Sequence, residues 1–406
     1  MNKHVKIVSG ILALTLVFSG GIAIGRADID VTAPVTASAY KSYTYGDFDY
    51  LKDGDEIRII ACNPDTKDAV IPAEIDGMPV TYIAADSFSN RTNLESVTIP
   101  DSVQNIAGSA FKDCTALKSV NIPDGMLYIG PRTFMGCTSL ETVTFGGHLM
   151  QIGESAFSGC TALTSVVIPD SVKRIGDMSF AYCTNLADVT IPEGLTQFGN
   201  IAFEDTAWLK AKQAENPLVT VNNVIIDATS CTGDVVIPDG ITKITGTGFG
   251  LSSVTSVTIP ESVTDIDKMT FYGCKRLGEI TIPENVTYIG EAAFTECENL
   301  KLITIMNPDC VIDDNYRTLE YGIINAPENS TAQDYAEKYK RTFVKLGDEI
   351  PEIPVTPATP KKGDINEDGY IDPVDASIIL SYYSYMSTTS DNPVMNIDEF
   401  MNSDLF

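Results

Sequence analysis

A pattern of apolar and polar positions recurs every 23 residues along most of this chain. Its most regular member is a phenylalanine, found at Phe88, Phe111, Phe134, Phe157, Phe180 and Phe203, and again at Phe249, Phe271 and Phe294. A fixed period of this length is typical of a solenoid. One unit cannot bury its own apolar side chains, whereas a stack of units buries a continuous core. We therefore expect the phenylalanines to form one stacked column.

Each unit opens with a short predicted strand, as residues 96–118 illustrate. Apolar Val97 and Ile99 alternate with polar residues, which predicts one buried and one exposed face. Pro100 then ends the strand because it has no backbone N–H to donate. Glycines after an Ile or Phe are expected at tight bends; they are Gly130, Gly153, Gly176, Gly199 and Gly290. The predicted fold class is a repeat solenoid of mostly short β-strands with turns and short helices.

These columns resemble the leucine-rich repeats of the BspA type found in bacterial surface antigens. The resemblance covers about residues 70–308. It implies a leucine-rich-repeat solenoid with an N-terminal cap at residues 40–69 and a C-terminal cap at residues 309–346.

Both predicted caps have their own elements. Residues 43–51 and 56–61 are predicted strands of the first cap, because they are rich in β-branched and aromatic residues around a Gly turn. In the second cap, Ser330 with Gln333 predicts the start of a helix, and residues 343–346 a final strand.

The period breaks once, in an irregular insert at residues 204–234. Residues 208–215 are a predicted short helix, and Asn222-Asn223 between apolar pairs predicts a hairpin. Trp208 is the only tryptophan. We expect it to plug the core, with a sugar-stacking platform as the alternative. Insertions in repeat arrays often decorate the face that binds a ligand.

Residues 1–39 have the features of a secretory signal. Lys3 and Lys6 precede an uncharged segment at residues 7–24, and Ala37-Ser38-Ala39 offers a cleavage pattern of small residues. A membrane anchor is the alternative, since the uncharged segment is just long enough to span a bilayer. The prediction is an extracellular, secreted protein with no membrane attachment after cleavage.

The chain is strongly acidic, with a net charge of −28. Such a surplus disfavours binding to nucleic acid or to an anionic membrane.

Among nine cysteines, six follow the unit's phenylalanine by three residues: Cys114, Cys137, Cys160, Cys183, Cys274 and Cys297. Disulfides come to mind first in a secreted protein. However, side chains of one column point the same way, so we expect buried free thiols.

A Pro/Thr-rich linker at residues 347–362 leads to a module at residues 363–406 that carries the clearest candidate chemistry. A twelve-residue stretch begins at Asp364 and has Gly369 at its sixth position, as a calcium loop requires. The predicted ligands are Asp364, Asn366, Asp368, Tyr370 through its carbonyl, Asp372 through water, and Asp375. This spacing favours Ca²⁺ as the cofactor, and an acidic surface turn is the alternative.

With Asp375 at the last position and a helical sequence after it, the module resembles a type I dockerin, here as a small α-helical calcium-loop module. The resemblance implies docking onto the cohesin domain of a scaffoldin in a cellulosome-like, polysaccharide-degrading complex. It also implies that Pro373 and Val374, just before the last ligand, contact that partner. Dockerins usually carry two such loops, and residues 387–406 contain no second one.

The exposed positions of the predicted strands form a ribbon rich in hydroxyl groups. We define this ribbon as Ser96, Thr98, Ser119, Asn121, Thr142, Thr144, Thr190, Thr258 and Thr281. The ribbon is a candidate ligand face for a polysaccharide or a surface protein, and simple strand propensity is the alternative explanation. Catalysis is not expected. Beyond residue 39 the only histidine is His148, beside Gly146-Gly147 in a predicted turn.

Three functions are open at this point. The first is a non-catalytic binding and adhesion protein whose solenoid recognises a polysaccharide, cell-surface or protein ligand and whose tail docks onto a cohesin. The second is a free surface adhesin with a vestigial calcium module. The third and least favoured is a polysaccharide hydrolase, which would need a pair of carboxylates.

Overall fold

The structure, a computed structural model, describes residues 41–351. The predicted signal, most of the linker and the whole calcium-loop module lie outside these residues. The solenoid belongs to a structural unit that ends at Asp348. Within residues 41–351, no helix is long and apolar enough to cross a membrane.

An antiparallel meander precedes the repeats. The first strands are β1 (Tyr43–Tyr45), β2 (Phe48–Asp53), β3 (Glu56–Cys62), β4 (Asp68–Val70), β5 (Glu74–Ile75) and β6 (Met78–Ile83). The single strand predicted at residues 43–51 is wrong, because Gly46 has a φ of +55° and turns the chain between β1 and β2. β3 then pairs in parallel with β6, which joins the meander to the stack.

Each repeat contributes two strands, not the single strand that the sequence predicts. A three-residue strand is followed by a two-residue strand, in the order β7 (Ser96–Thr98), β8 (Asn105–Ile106), β9 (Ser119–Asn121), β10 (Tyr128–Ile129), β11 (Thr142–Thr144), β12 (Gln151–Ile152), β13 (Ser165–Val167), β14 (Arg174–Ile175), β15 (Asp188–Thr190) and β16 (Gln197–Phe198). The chain therefore builds two parallel ladders on different sides of one core. We call the ladder of longer strands the first ladder and that of two-residue strands the second ladder.

The insert separates two halves of the stack. It contains α1 (Ala207–Glu215) and a hairpin of β17 (Val219–Val221) and β18 (Val224–Asp227), which confirms the predicted helix and hairpin. The second half continues with β19 (Thr232–Val236), β20 (Lys243–Ile244), β21 (Ser253–Thr258), β22 (Asp265–Ile266), β23 (Glu279–Ile282), β24 (Tyr288–Ile289), β25 (Leu302–Ile305), β26 (Val311–Ile312), β27 (Ile323–Ala326), α2 (Thr331–Tyr339) and β28 (Phe343–Lys345).

Both ladders are interrupted at the insert. The second ladder runs from β6 to β16 and starts again at β18. The first ladder runs from β4 to β11, continues as the separate pair β13–β15, and starts again at β19. Beyond residue 308 the ladders continue through β26, β27 and β28. The predicted helix after Ser330 is confirmed as α2, with the Ser330 hydroxyl accepting from the Gln333 backbone N–H at 3.2 Å.

The stacking of the phenylalanines is confirmed, but the rings form two columns and not one. Ring centroids of successive phenylalanines lie between 4.6 Å (Phe88 and Phe111) and 5.6 Å (Phe180 and Phe203) apart, and the rings are stacked. Trp208 is buried and lies 4.9 Å from Phe203, so it closes the column of the first half as predicted. A second column begins at Phe249. Apart from Phe203, the stacked rings are the largest fully buried side chains of the solenoid.

The cysteine column does more than fill space. All nine cysteines are free and buried, as predicted for the six of the column. The thiol of Cys160 donates to the backbone oxygen of Phe134 at 3.3 Å, and Cys183 repeats this contact with Phe157 at 3.1 Å. Both carbonyls also accept a backbone N–H, from Cys137 and Cys160 respectively, so each thiol adds a second hydrogen bond that links adjacent turns.

The recurring glycines have a different role from the predicted bends. None of the five has a positive φ. Instead, a Cβ at Gly176 would lie 2.6 Å from the backbone nitrogen of Glu154, and one at Gly199 would lie 2.2 Å from that of Asp177. Glycine is required there because the backbones of adjacent turns touch.

Candidate functional site

The predicted ribbon lies on the first ladder. Eight of its nine side chains are exposed, and Ser96, whose hydroxyl donates to Asp68, is half-buried. Parallel pairing aligns Thr142 with Ser119 and Thr144 with Asn121. The hydroxyl and amide groups therefore form columns in which the groups of neighbouring strands lie about 4.8 Å apart. The insert divides the ribbon, since Thr258 and Thr281 belong to the second half.

A cleft of about 690 Å³ opens on the other ladder, where the two halves meet. We call it the junction cleft. Its lining residues are Arg174, Asp177, Thr196, Gln197, Phe198, Gly199, Asn200, Val224, Thr242, Lys243, Thr264, Asp265, Asp267, Lys268 and Tyr288. None of the ribbon residues lines this cleft. One wall is formed by β14 and β16, and the other by β20, β22 and β24.

A bend of the stack creates the junction cleft. Lys268 Nζ lies 3.5 Å from a carboxylate oxygen of Asp177. The turns that carry these residues follow β22 and β14, which in a straight stack would be separated by four strand spacings, or about 19 Å. The two side chains could not span that distance together. The walls therefore converge at this end of the cleft, where Asn200 packs against Gly246.

The insert holds the two halves together at the bend. The side-chain amide of Asn222 donates to the backbone oxygens of Pro192 and Leu195, at 2.8 and 2.7 Å. The neighbouring Asn223 accepts from the backbone N–H of Thr242 in the second half. Both asparagines have positive φ values, as a two-residue hairpin turn requires. The hairpin tip is thus hydrogen bonded to the segments that precede β16 and β20, one in each half of the stack.

Charges in the junction cleft occur in equal numbers of each sign. Lys243 Nζ lies 3.0 Å from Asp267, and Asp177 also accepts a hydrogen bond from the Asn200 backbone N–H at 2.9 Å. The hydroxyl of Thr264 donates to Asp265 at 2.7 Å. These contacts fix the orientation of the charged groups before any ligand enters.

Tyr288 is the aromatic side chain of the cleft that remains partly exposed. Burial raises the pKa of its phenol, and the carboxylates of Asp313, Asp267 and Glu291 raise it further. The phenol therefore stays protonated at physiological pH and can both donate and accept a hydrogen bond.

A pair of carboxylates occurs at the junction but has no room for a substrate. Burial raises the pKa of Asp227, which accepts hydrogen bonds from Gln213 and Thr229. The pKa of Glu204 is also raised, first by burial and then by Asp227. The cavity beside them measures about 10 Å³, enough for one water molecule. A sugar ring does not fit between them.

The remaining candidates are separate from the cleft. Trp208 is buried, so the sugar-platform alternative is wrong. His148 is exposed, with Nδ1 3.2 Å from the backbone oxygen of Asp124. The predicted calcium ligands, with Pro373 and Val374, lie outside residues 41–351. Within those residues, no group of three or more His, Cys, Asp or Glu side chains is arranged to hold a metal.

The sequence pattern did not reveal the junction cleft. Most of its residues lie on or beside the second strand of a repeat, which the 23-residue pattern did not identify as a strand. The available signal was the break of the period at residues 204–234, since insertions in repeat arrays often lie on the binding face.

Comparison with known proteins supports the fold. The family described as BspA type leucine rich repeat region matches residues 81–210 and 219–316, in six copies. No curated protein matches the chain.

Three solved structures illustrate the similarity. A leucine-rich cell surface protein of Faecalibacterium prausnitzii is 22% identical over 76% of this chain and 95% of that protein, with a TM-score of 0.40. A leucine-rich-repeat protein of Bacteroides ovatus is 18% identical over 75% of this chain and 99% of its own, with a TM-score of 0.32. The pneumococcal vaccine antigen PcpA is 16% identical over 77% of this chain and 99% of its own, with a TM-score of 0.39.

The stacked phenylalanine columns, the two parallel ladders and the family match over more than half of the chain agree. This protein belongs to the BspA-type leucine-rich-repeat family.

Proposed function

We propose that this protein is an extracellular, non-catalytic binding and adhesion protein whose solenoid recognises a polymer. The observation that supports this most directly is the ribbon of exposed hydroxyl and amide groups along the first ladder. A rigid surface with a repeat of about 4.8 Å suits a ligand that is itself repetitive. Similar proteins named for a cell surface or as an antigen support the same role.

A glycan array with the full chain tests this role, with binding to a polysaccharide as the expected result. Thr142→Lys with Thr144→Lys places two long charged side chains on the ribbon and should weaken binding. Asn105→Lys puts one such side chain on the second ladder, away from the ribbon and the cleft, as the control. Loss of binding in the control alone would contradict the ribbon as the ligand face.

The tail supplies the second part of the proposal. Asp364, Asn366, Asp368, Tyr370, Asp372 and Asp375 would hold Ca²⁺, because carboxylate, amide and carbonyl oxygens at this spacing suit a hard cation. The ordered loop would then dock onto a cohesin domain through Pro373 and Val374. A polysaccharide-binding solenoid would thereby become a targeting subunit of a larger, polysaccharide-degrading complex.

Capture by immobilised cohesin domains, with and without a calcium chelator, tests the docking role. Capture that the chelator abolishes is the expected result. If no cohesin of a broad panel captures the protein, it is a free adhesin with a vestigial calcium module.

A further inference from the structure

We propose that the junction cleft is a binding site for a neutral oligosaccharide chain. This inference rests on the proposed binding role of the solenoid and adds a second site, on the opposite ladder from the ribbon. The volume of about 690 Å³ falls within the range of ligand pockets, about 300 to 1,000 Å³.

The charge of the lining favours a neutral ligand. Arg174, Lys243 and Lys268 are balanced by the three aspartates of the cleft, whereas the chain as a whole carries a net charge of −28. A cleft that binds a cation would be expected to share the negative sign of the surface, and an anion would be repelled by the whole protein. The lining of the cleft therefore carries no net charge, unlike the chain as a whole, and this favours a ligand that carries none.

Hydroxyl-rich ligands match the polar groups that line the cleft. Each sugar hydroxyl can donate one hydrogen bond and accept others. Thr196, Gln197 and Thr242 are exposed in the cleft and offer both donors and acceptors. The carboxylate of Asp265 and the guanidinium of Arg174 add charge-assisted bonds, which are the stronger kind.

The same groups are held in place before binding. The ion pair Lys268–Asp177 links the two halves of the stack, and Lys243–Asp267 links adjacent turns of the second half. The Thr264 hydroxyl donates a hydrogen bond to Asp265. A ligand therefore meets side chains that have already lost much of their conformational freedom, which reduces the entropic cost of binding.

Tyr288 provides the apolar surface that a sugar ring needs. Its ring is partly exposed on β24 and faces the cleft. An aromatic side chain with a polar tip can contact the C–H face of a sugar and hydrogen bond to a hydroxyl.

A peptide fits this cleft less well. Peptide binding depends on apolar anchors that fill desolvated pockets. The apolar side chains of the lining, Phe198 and Val224, are themselves buried, at 5% and 1% exposure, so they leave no pocket for an anchor.

Calorimetric titration of the full chain tests the inference, with hexasaccharides of β-linked glucose, mannose and xylose and with a hexamer of galacturonate as the acidic probe. We expect binding of at least one neutral hexasaccharide and none of the galacturonate hexamer. Gln197→Ala and Tyr288→Ala should each raise Kd about fivefold or more, because each removes a direct contact. Gln197 is exposed on a two-residue strand, so its substitution should leave the melting temperature unchanged.

Asn105→Ala is the matched control, since Asn105 occupies the equivalent position of β8, outside the cleft. Absence of neutral-sugar binding, preference for the acidic probe, or equal effects of Gln197→Ala and Asn105→Ala would overturn the inference. If cleft variants keep full binding while the Thr142 and Thr144 double variant loses it, the cleft assignment fails and the proposed function survives. If the wild-type chain binds no saccharide on the array either, polysaccharide recognition itself fails.

Discussion

At the scale of single residues, the backbone of each turn passes twice through the left-handed region. One such position lies two residues before the phenylalanine and the other two residues after it, as at Ser155 and Gly159 around Phe157. The second position holds glycine in some turns and a large residue in others, such as Leu251 with a φ of +60°. A left-handed conformation costs a residue with a side chain about 1 to 2 kcal/mol.

At this second left-handed position, a substitution to glycine and a substitution of glycine should therefore change the free energy of unfolding in opposite directions. Leu251→Gly should stabilise the protein by about 1 kcal/mol, because the Leu251 side chain is 69% exposed and little burial is lost. Gly159→Ala should destabilise it by about 1 kcal/mol, since the new Cβ meets no atom closer than 3.8 Å and only the backbone conformation resists it. Urea unfolding measures both. If both variants lose stability, left-handed strain is not the controlling factor.

Burial also controls the chemistry of the thiols. It raises the pKa of Cys231 to about 11, with a smaller contribution from the nearby carboxylate of Asp227. It raises the pKa of Cys310 to about 12, with a smaller contribution from Asp265. These thiols stay protonated at pH 8 to 10, where a solvated thiol becomes ionised.

Because all nine thiols are buried, we expect no rapid reaction of the native protein with Ellman's reagent at pH 8 or at pH 10. All nine thiols should react once urea unfolds the chain, because all nine are buried and free. Absorbance of the released thiolate gives the count. Rapid reaction of even one thiol in the native protein at pH 8 would show that a turn opens locally.

At the scale of elements, the repeat is a turn with two short strands, and its geometry depends on contact with its neighbours. A strand of two residues such as β14 has little stability alone. It persists because Ile175 aligns with Ile152 on one side and Phe198 on the other, and because all three are buried. Adjacent backbones touch where Gly176 follows the strand.

Gly176→Ala should lower stability by about 1 to 3 kcal/mol, because its Cβ would overlap the backbone of the neighbouring turn. Gly125→Ala is the control. The nearest atom to its added Cβ lies 3.9 Å away, and Gly125 has no positive φ, so we expect a change near zero. Thermal melting followed by circular dichroism compares the two. Equal losses would mean that close approach of backbones does not explain the glycine column.

At the scale of the whole molecule, the insert determines where a ligand can enter. It ends one phenylalanine column with Trp208, ties both halves together through Asn222 and Asn223, and leaves the second ladder open between β16 and β18. The bend that results creates the junction cleft.

Asp364→Ala with Asp375→Ala should abolish calcium binding without changing the melting of the solenoid. These residues are the first and last predicted ligands of the loop, and both are carboxylates. Calorimetry with CaCl₂ and thermal melting supply the two measurements. Asp391→Ala with Asp398→Ala removes the same charge from the tail outside the loop and should retain binding. Normal calcium uptake by the first double variant would show that the loop assignment is wrong.

The sequence by itself determined the repeat, because the phenylalanine and cysteine that recur every 23 residues are the side chains that each turn buries. It predicted the stacked phenylalanines, the buried free thiols, the plug at Trp208 and both helices. It also identified the exposed ribbon, since alternation along a strand is visible within a few residues.

Only the tertiary structure decided where the stack bends and what the bend brings together. Lys268 and Asp177 are 91 residues apart in sequence, and no periodicity places them in contact. The second ladder was missed for the same reason, since a strand of two residues carries too little pattern of its own and exists through its neighbours. The role of Gly176 likewise depends on another turn's backbone, which the sequence around it does not contain.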